Sequence, residues 1–147
     1  MISKEETIHN LKTALSTEWL AYIEYNILSD YAKGPQLKDL TSDLKLIDKD
    51  EYEHIEKLNK RIKQLDSNII IDPRMWFKYS PDSFIVPSNQ DTMDIASIIL
   101  ELEESAIKLY TKILELDLDP TTKYVVHHIL NDEEEHRSII KRFIDSF

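Results

Sequence analysis

The chain has 147 residues, a formal net charge of -10, one glycine and no cysteine. This length suits a single domain over residues 1–147, the missing cysteine excludes disulfides and thiolate metal sites, and the single glycine excludes a glycine-rich phosphate loop. The acidic charge argues against a nucleic-acid partner. No signal peptide or membrane-spanning apolar run is evident, so a soluble, cytoplasmic protein is expected.

Four long helices are predicted from apolar residues that recur three and four positions apart, the spacing of one buried helix face. Ser3 opens a capping-box sequence, SKEE, before the first helix, and Asp119 can cap the fourth, whose first turn holds Pro120. The predicted helices cover residues 4–33, 36–65, 92–117 and 120–145.

Residues 66–90 form a long connection between the second and third helices. They hold three of the five prolines and many aromatic residues, which predicts an extended connection anchored on the rest of the chain. The other joins are short and predict antiparallel hairpins. The pattern therefore predicts an all-α, ferritin-like four-helix bundle of two antiparallel hairpins with a long crossover between helices 2 and 3. Two independent hairpins with a linker fit less well, because the linker would expose Trp76 and Phe77.

Three Glu-x-x-His pairs occur in the predicted helices. At about 100° per residue, the pair Glu6–His9 points away from the apolar face of its helix. The pairs Glu51–His54 and Glu133–His136 point towards the apolar faces of their helices, at equivalent positions. Buried carboxylates and imidazoles without partners are costly, and a metal cluster offsets that cost because both groups are ligands of first-row transition metals. We therefore predict a metal site from the second and third pairs. The pairs are Glu6–His9, Glu51–His54 and Glu133–His136.

A di-metal carboxylate bundle needs one further glutamate from each of the other two helices. In the first helix, Glu18 lies nearest the apolar face, whereas Glu24 points away. In the third helix, Glu101 and Glu103 lie at equal angles on either side of the apolar face, and Glu104 points outward. Periodicity alone therefore leaves Glu101 and Glu103 as alternatives.

Several strings of residues, spread over nearly the whole chain, resemble a known family. They are TEWLAYIEY from residue 17, DEYEH from 50, DPRMWFKYSPDSFIVP in the crossover, EESAIKLY from 103, DPTTKYVVHHIL from 119 and DEEEH from 132. Together they resemble the ferritin-like superfamily. The crossover string favours its Dps-like branch, the thioferritins, which carry a bacterioferritin-type di-iron site.

The resemblance implies two iron ions per subunit, with manganese and zinc as alternative occupants. The resemblance also indicates that Glu103, and not Glu101, is the metal ligand of the third helix. Tyr25 is similar to the site-adjacent tyrosine of bacterioferritins, which implies a redox or supporting role, with an ordinary packing tyrosine as the alternative. The implied ligands are Glu18 and His54 for one iron, Glu103 and His136 for the other, and Glu51 and Glu133 as bridges.

The chain departs from the family pattern in two places. Such proteins often hold a cysteine pair near the di-iron site, where this chain has Asp82 and Ser83 in the crossover and Ser105 in the third helix. No thiol is therefore present for a thiol-based step, although no implied iron ligand is lost. Tyr52 replaces the haem-binding methionine of bacterioferritins, so no haem is expected through that position.

The resemblance implies a ferroxidase, a peroxide-consuming di-iron oxidoreductase that oxidises Fe(II) with hydrogen peroxide or dioxygen. The ferric product would be stored in a homo-oligomeric, dodecameric shell, which would protect against oxidative stress. One alternative is a rubrerythrin-like di-iron peroxidase that uses an external electron donor and stores nothing. Another is a non-enzymatic helical interaction module. The partners that the resemblance implies are iron and the oxidant. The sequence predicts no membrane partner, and its acidic charge argues against nucleic acid.

Overall fold

The computed structural model describes residues 1–147 and is entirely helical, as predicted. Four long helices form a ferritin-like four-helix bundle, and a fifth, short helix lies in the crossover. α1 and α2 pack as one antiparallel hairpin, and α4 and α5 pack as the other. The helices are α1 Lys4–Tyr31, α2 Leu37–Gln64, α3 Arg74–Tyr79, α4 Thr92–Leu114 and α5 Pro120–Asp145. None of them combines the length and apolar character needed to cross a membrane.

Two helix starts have the predicted side-chain caps. Ser3 Oγ accepts the backbone N–H of Glu6 at 3.0 Å, and Asp119 Oδ1 accepts that of Thr122 at 2.9 Å. Each bond satisfies a backbone donor that has no partner within the helix. The cap positions therefore follow from the sequence as expected.

Two helices end two or three residues earlier than predicted, and α2 ends one residue earlier, at Gln64. The first ends at Tyr31 instead of 33, because the chain turns at Gly34, whose φ of 138° favours glycine. The third long helix, α4, ends at Leu114 instead of 117. The turn at Gly34 is tied to the start of α4, since Lys33 C=O accepts the backbone N–H of Thr92 at 3.0 Å.

The crossover is anchored on α1, and it contains the helix α3, which was not predicted. The indole rings of Trp76 and Trp19 stack with centroids 5.1 Å apart, so Trp19 packs against the crossover. A second anchor contradicts a prediction. Glu24 was expected to point away, yet it is buried, and its Oε1 accepts the backbone N–H of Ile85 at 2.8 Å. Helical periodicity locates the face towards the bundle axis but does not account for a crossover that covers a second face.

Apolar side chains form two separate clusters in the bundle. One includes Leu15, Leu58 and Ile129, and the other includes Leu44 and Ile99, with contributions from all four long helices in each. Between these two clusters, every long helix contributes buried carboxylate or imidazole groups. The bundle is therefore apolar towards both ends and polar at its centre.

Candidate metal centre

All six residues predicted as metal ligands converge at the centre of the bundle. Each is at most 1% exposed, so these are carboxylate and imidazole groups held in the protein interior. Their donor atoms form two groups of four, and within each group all atoms lie within 4.8 Å of one another. Both groups share the same two glutamates, the predicted bridges. The first group is Glu18, Glu51, His54 and Glu133, and the second is Glu51, Glu103, Glu133 and His136.

Burial separates the candidates that periodicity left open. Glu103 is fully buried in the cluster, whereas Glu101 is exposed on α4. Glu6 and His9, the Glu-x-x-His pair predicted to face water, are both exposed. Only the two pairs that point inward from α2 and α5 therefore reach the centre of the bundle.

Each histidine of the cluster lies between an inner and an outer carboxylate. His54 Nδ1 lies 3.1 Å from Glu133 Oε1, and its Nε2 lies 2.7 Å from Asp132 Oδ2. His136 repeats this arrangement: its Nδ1 lies 3.1 Å from Glu51 Oε1, and its Nε2 lies 2.8 Å from Asp50 Oδ2. Both imidazole rings therefore present Nδ1 to the cluster and Nε2 to an aspartate outside it.

Two tyrosines hydrogen-bond to Glu103 and Glu18, the glutamates that each belong to only one of the two groups. Tyr25 Oη donates to Glu103 Oε1 at 2.7 Å, and Tyr110 Oη donates to Glu18 Oε1 at 2.6 Å. Burial raises the pKa of both phenols well above the ordinary value, and the neighbouring carboxylates raise it further. Both tyrosines are therefore neutral donors, and each leaves the other oxygen of its glutamate free for the cluster.

Sequence reasoning missed three residues of this site, Asp50, Asp132 and Tyr110. A signal for each is nevertheless present, because the site is built from two repeats. Asp-Glu-x-x-His occurs in both α2 and α5, and the aspartate of each copy reaches the histidine of the other. Glu-x-x-Ala-x-x-x-Tyr occurs in both α1 and α4, and the tyrosine of each copy reaches the glutamate of the other. A search for internal repeats would have found all three residues.

Protons neutralise much of the acidic charge in the metal-free cluster. Burial, together with the neighbouring carboxylates, raises the pKa of Glu51 and Glu133 well above the ordinary value. Burial opposes charge on His54, but Glu18, Asp132 and Glu133 outweigh it and raise the pKa of His54 to about 12. Burial likewise opposes charge on His136, but Glu103 and other acidic neighbours raise its pKa to about 9. At neutral pH the cluster therefore holds protons that a cation can displace.

One possible metal-ligand atom on each of the six residues makes no hydrogen bond of good geometry, and the nearest contacts of the two histidine Nδ1 atoms are ion-pair contacts of 3.1 Å with glutamate oxygens. An unpaired buried polar group costs about 1–3 kcal/mol, so six of them at one point call for a shared partner. Carboxylate oxygen and imidazole nitrogen suit first-row transition metals, and the set therefore fits a pair of such cations. Within the cluster, the buried atoms without a hydrogen-bond partner are Oε2 of Glu18 and Glu103, Oε1 of Glu51 and Glu133, and Nδ1 of His54 and His136.

Comparisons with known proteins agree with this architecture. The chain is 28% identical over 144 residues to the DNA protection during starvation protein of Pyrococcus furiosus, an alignment that covers 93% of this chain and 76% of that protein. It is 26% identical to the dodecameric thioferritin, a bacterioferritin-related protein, of Bacteroides fragilis, with a TM-score of 0.93 and coverage of 99% and 88% of the two chains.

A ferritin-like, diiron-carboxylate protein of Bacillus anthracis shares the fold, with a TM-score of 0.77, 22% identity and coverage of 98% and 99% of the two chains. The ferritin-like domain family matches residues 8–147, which is nearly the full length. The chain therefore belongs to the ferritin-like family, and it is a Dps-like member of that family.

Proposed function

We propose that this protein is a ferroxidase that binds two iron ions per subunit and oxidises Fe(II) with hydrogen peroxide or dioxygen. It stores the ferric product in a homo-oligomeric, dodecameric shell and so protects against oxidative stress. The observation that carries the proposal is the set of six buried donor atoms, one per predicted ligand, without hydrogen-bond partners. The Dps-like relatives support the biological role, and the thioferritin similarity supports the shell.

The proposed ligand roles follow the two groups of donor atoms. Glu18 and His54 belong to one group only, which suits terminal ligands of one iron. Glu103 and His136 belong only to the other group, and they suit the second iron in the same way. The remaining two glutamates belong to both groups and suit bridging ligands. Bridging carboxylates hold two cations close together and reduce the repulsion between them.

The chain's own groups prepare this site for cations. The hydrogen bond with His54 is the main cause that lowers the pKa of Asp132. Asp132 is therefore ionised and can only accept a hydrogen bond. The shared proton therefore belongs to Nε2 of His54, which leaves Nδ1 as the ligand atom. When bound, two ferrous ions can supply one electron each, so an oxidant is reduced in a two-electron step. Tyr25, which borders the cluster, is the proposed redox-active or supporting residue beside the metals.

The ligand assignment is tested by replacing one bridging glutamate at a time. Glu51→Ala and Glu133→Ala should abolish rapid oxidation of Fe(II), measured as formation of the ferric product. Glu6→Ala is the matched control, because Glu6 belongs to an exposed Glu-x-x-His pair. Equal oxidation rates in all three variants would show that the cluster is not the ferroxidase site.

Storage is tested by gel filtration of protein that has been loaded with Fe(II) and oxidant. Ferric iron that co-elutes with a particle the size of a dodecamer supports the proposed shell. A small species that turns over peroxide only with an external electron donor, and retains no iron, would identify a peroxidase without storage. Protein that binds no iron, manganese or zinc on titration would identify a non-enzymatic module.

A further inference from the structure

The central cluster is closed to solvent on the crossover side of the bundle. Its six candidate ligands are each at most 1% exposed. A cavity between α1 and α4 reaches Glu18 and Glu133, and Ser83 is the one residue of the crossover that lines it. The volume of this cavity, about 10 Å³, is the room of one water-sized molecule, which is too small for a hydrated cation. Part of the protein must therefore move before a cation can reach the cluster from this side.

The strap, residues 84–88 of the crossover directly after Ser83, is held to α1 by a single hydrogen bond. Ile85 donates its backbone N–H to Oε1 of Glu24 at 2.8 Å, and no other hydrogen bond involves the strap. Ile85 also packs against one apolar cluster of the bundle. Elsewhere the strap packs loosely, since a groove of about 270 Å³ runs between it and α1, and Val86 is 79% exposed. The attachment of the strap therefore depends on Glu24.

Glu24 is an ionisable group held in the protein interior. It is fully buried, and its second oxygen, Oε2, has no hydrogen-bond partner. Burial raises the pKa of Glu24 to about 7, against the smaller, opposite effect of the bond from Ile85. No charged group of another element shifts this pKa, the strap holds no titratable side chain, and Tyr31 is the only other titratable residue that lines the groove. The charge of Glu24 therefore depends on whether the strap covers it.

Ionisation of Glu24 and release of the strap favour one another. While the strap is in place, the carboxyl group is buried and its neutral form is favoured. When the strap lifts, water reaches the carboxyl group and its pKa returns to the ordinary value of glutamate. The stability that Glu24 gives to the closed form is therefore fully present below that ordinary value and is lost as pH rises through about 7. Opening of the strap becomes easier as pH rises.

We infer that the strap is a pH-dependent gate over the cluster, which Glu24 holds closed and which is released when Glu24 ionises. Ser83 precedes the strap directly in the chain, so release of Ile85 allows the crossover to move away from the cavity that Ser83 borders. Glu24 acts only through the strap and is not a metal ligand. The gate itself does not depend on the proposed function, whereas its effect on the entry of Fe(II) rests on that function.

Hydrogen exchange of the full-length, metal-free protein tests the gate directly. The protection factor of the Ile85 amide, which is corrected for the intrinsic effect of pH on exchange, should fall about 5- to 30-fold from pH 5 to pH 8 after allowance for solvent screening. Glu24→Gln stays neutral and still accepts the bond, so its protection factor should not change with pH. Asp30→Asn removes an exposed charge from the same helix and should behave like wild type. No fall in wild type, or an equal fall in Glu24→Gln, would overturn the inference.

A second amide separates a local gate from unfolding of the whole bundle. The N–H of Leu20 lies in the middle of α1 and exchanges only when the helix unfolds. It should therefore exchange far more slowly than the N–H of Ile85 at every pH. This comparison needs no substitution, so it remains decisive if Glu24→Gln does not fold. Equal protection of the two amides would show that the strap opens only with the whole protein, and would overturn the gate.

Access to the cluster is tested by the rate at which Co(II) binds to the metal-free protein. Dividing the wild-type rate by the Glu24→Gln rate cancels the protonation of the cluster, which is common to both proteins. This ratio should rise about 5- to 30-fold from pH 5 to pH 8, and Asp30→Asn should follow wild type. A ratio that does not change with pH would overturn the control of access by the strap. Failure of the proposed function would look different, since wild type would then oxidise no Fe(II) while the Ile85 amide still responded to pH.

Discussion

Asp132 supports only one half of the proposed di-metal site, and this asymmetry can be measured. Its Oδ2 lies 2.7 Å from Nε2 of His54, while Asp50 makes the corresponding contact with His136. Asp132→Asn keeps an oxygen that can accept the Nε2 proton but removes the negative charge. We therefore expect His54 to become a weaker ligand without leaving its position.

The size of the effect follows from the contact that is weakened. Hydrogen bonds to charged groups contribute about 1.5–3 kcal/mol, roughly twice as much as neutral ones, so the substitution should cost about 1–2 kcal/mol. This corresponds to a loss of about 5- to 30-fold in affinity at the His54 half, which overlaps the range of about 10–100-fold typical of residues that hold a metal ligand in place. Asp50 is 37% exposed and Asp132 is 25% exposed, so Asp50→Asn should have the smaller effect, at the His136 half.

The assay is calorimetric titration of metal-free protein with Co(II) or, without oxygen, Fe(II). Asp132→Asn should weaken one of two binding steps and leave the other within error of wild type. Glu134→Gln is the matched control, because Glu134 is exposed and lies next to Glu133, a proposed bridging ligand. Equal weakening of both steps, or no weakening relative to the control, would refute the proposed role of the outer aspartates.

Three further predictions follow from the buried polar groups. Glu51, Glu133 and the two histidines of the cluster have raised pKa values, so metal binding at pH 7 should release protons and tighten as pH rises; heats of binding that do not depend on the buffer would contradict this. Burial raises the pKa of Glu24 to about 7. The stability that its protonated form contributes is therefore fully present below the ordinary pKa of glutamate and is lost as pH rises through 7. The shift corresponds to at most about 3 kcal/mol, which solvent screening reduces to about 1–2 kcal/mol. In urea denaturation, the free energy of unfolding of metal-free wild type should therefore fall by that amount relative to Glu24→Gln between pH 5 and pH 8. The same pH dependence of the free energy of unfolding in both proteins would refute the prediction. Tyr25→Phe and Tyr110→Phe should each destabilise the metal-free protein by about 1–3 kcal/mol, because each leaves a buried carboxylate oxygen unpaired. Of the two tyrosines, only Tyr25 lines the small cavity beside Glu18, Glu51 and Glu133. A change in the rate of Fe(II) oxidation in Tyr25→Phe but not in Tyr110→Phe would support a redox role for Tyr25, and equal rates in the two variants would exclude it.

The sequence predicted the helices and most residues of the candidate metal centre, because both depend on helical periodicity. A spacing of three on an apolar face brings Glu51 and His54 inward whatever the details of packing. Glu101 and Glu103 could not be separated in this way, since they lie on opposite sides of the same apolar stripe. Which of the two is buried depends on where α5 packs against α4, and this is a property of the assembled bundle. The family resemblance preferred Glu103, and Glu103 is the buried one.

The crossover was the least predictable part, because its contacts are made by single residues without a repeat. The short helix α3 has six residues and no side-chain cap at its start, so it leaves little local signal. The burial of Glu24 depends on one backbone N–H from Ile85, 61 positions away in the chain. A helical wheel of α1 cannot report such a contact. For the same reason, the hydroxyl contacts that join Thr17, Ser80 and Ser83 could be seen only in the folded chain.

The crossover also determines where the two halves of the site differ. The repeated motifs of α1 and α4, and of α2 and α5, supply the same ligands and the same outer contacts to both proposed metal positions. The crossover has no counterpart in that repeat, and it contacts α1 through Trp76 and through Ser80. Any difference in access to the two positions must therefore arise on the crossover side of the bundle. A small cavity lined by Glu18, Ser83 and Ser105 lies on that side, so substitutions of the two serines should change access to the cluster more than its affinity for metal.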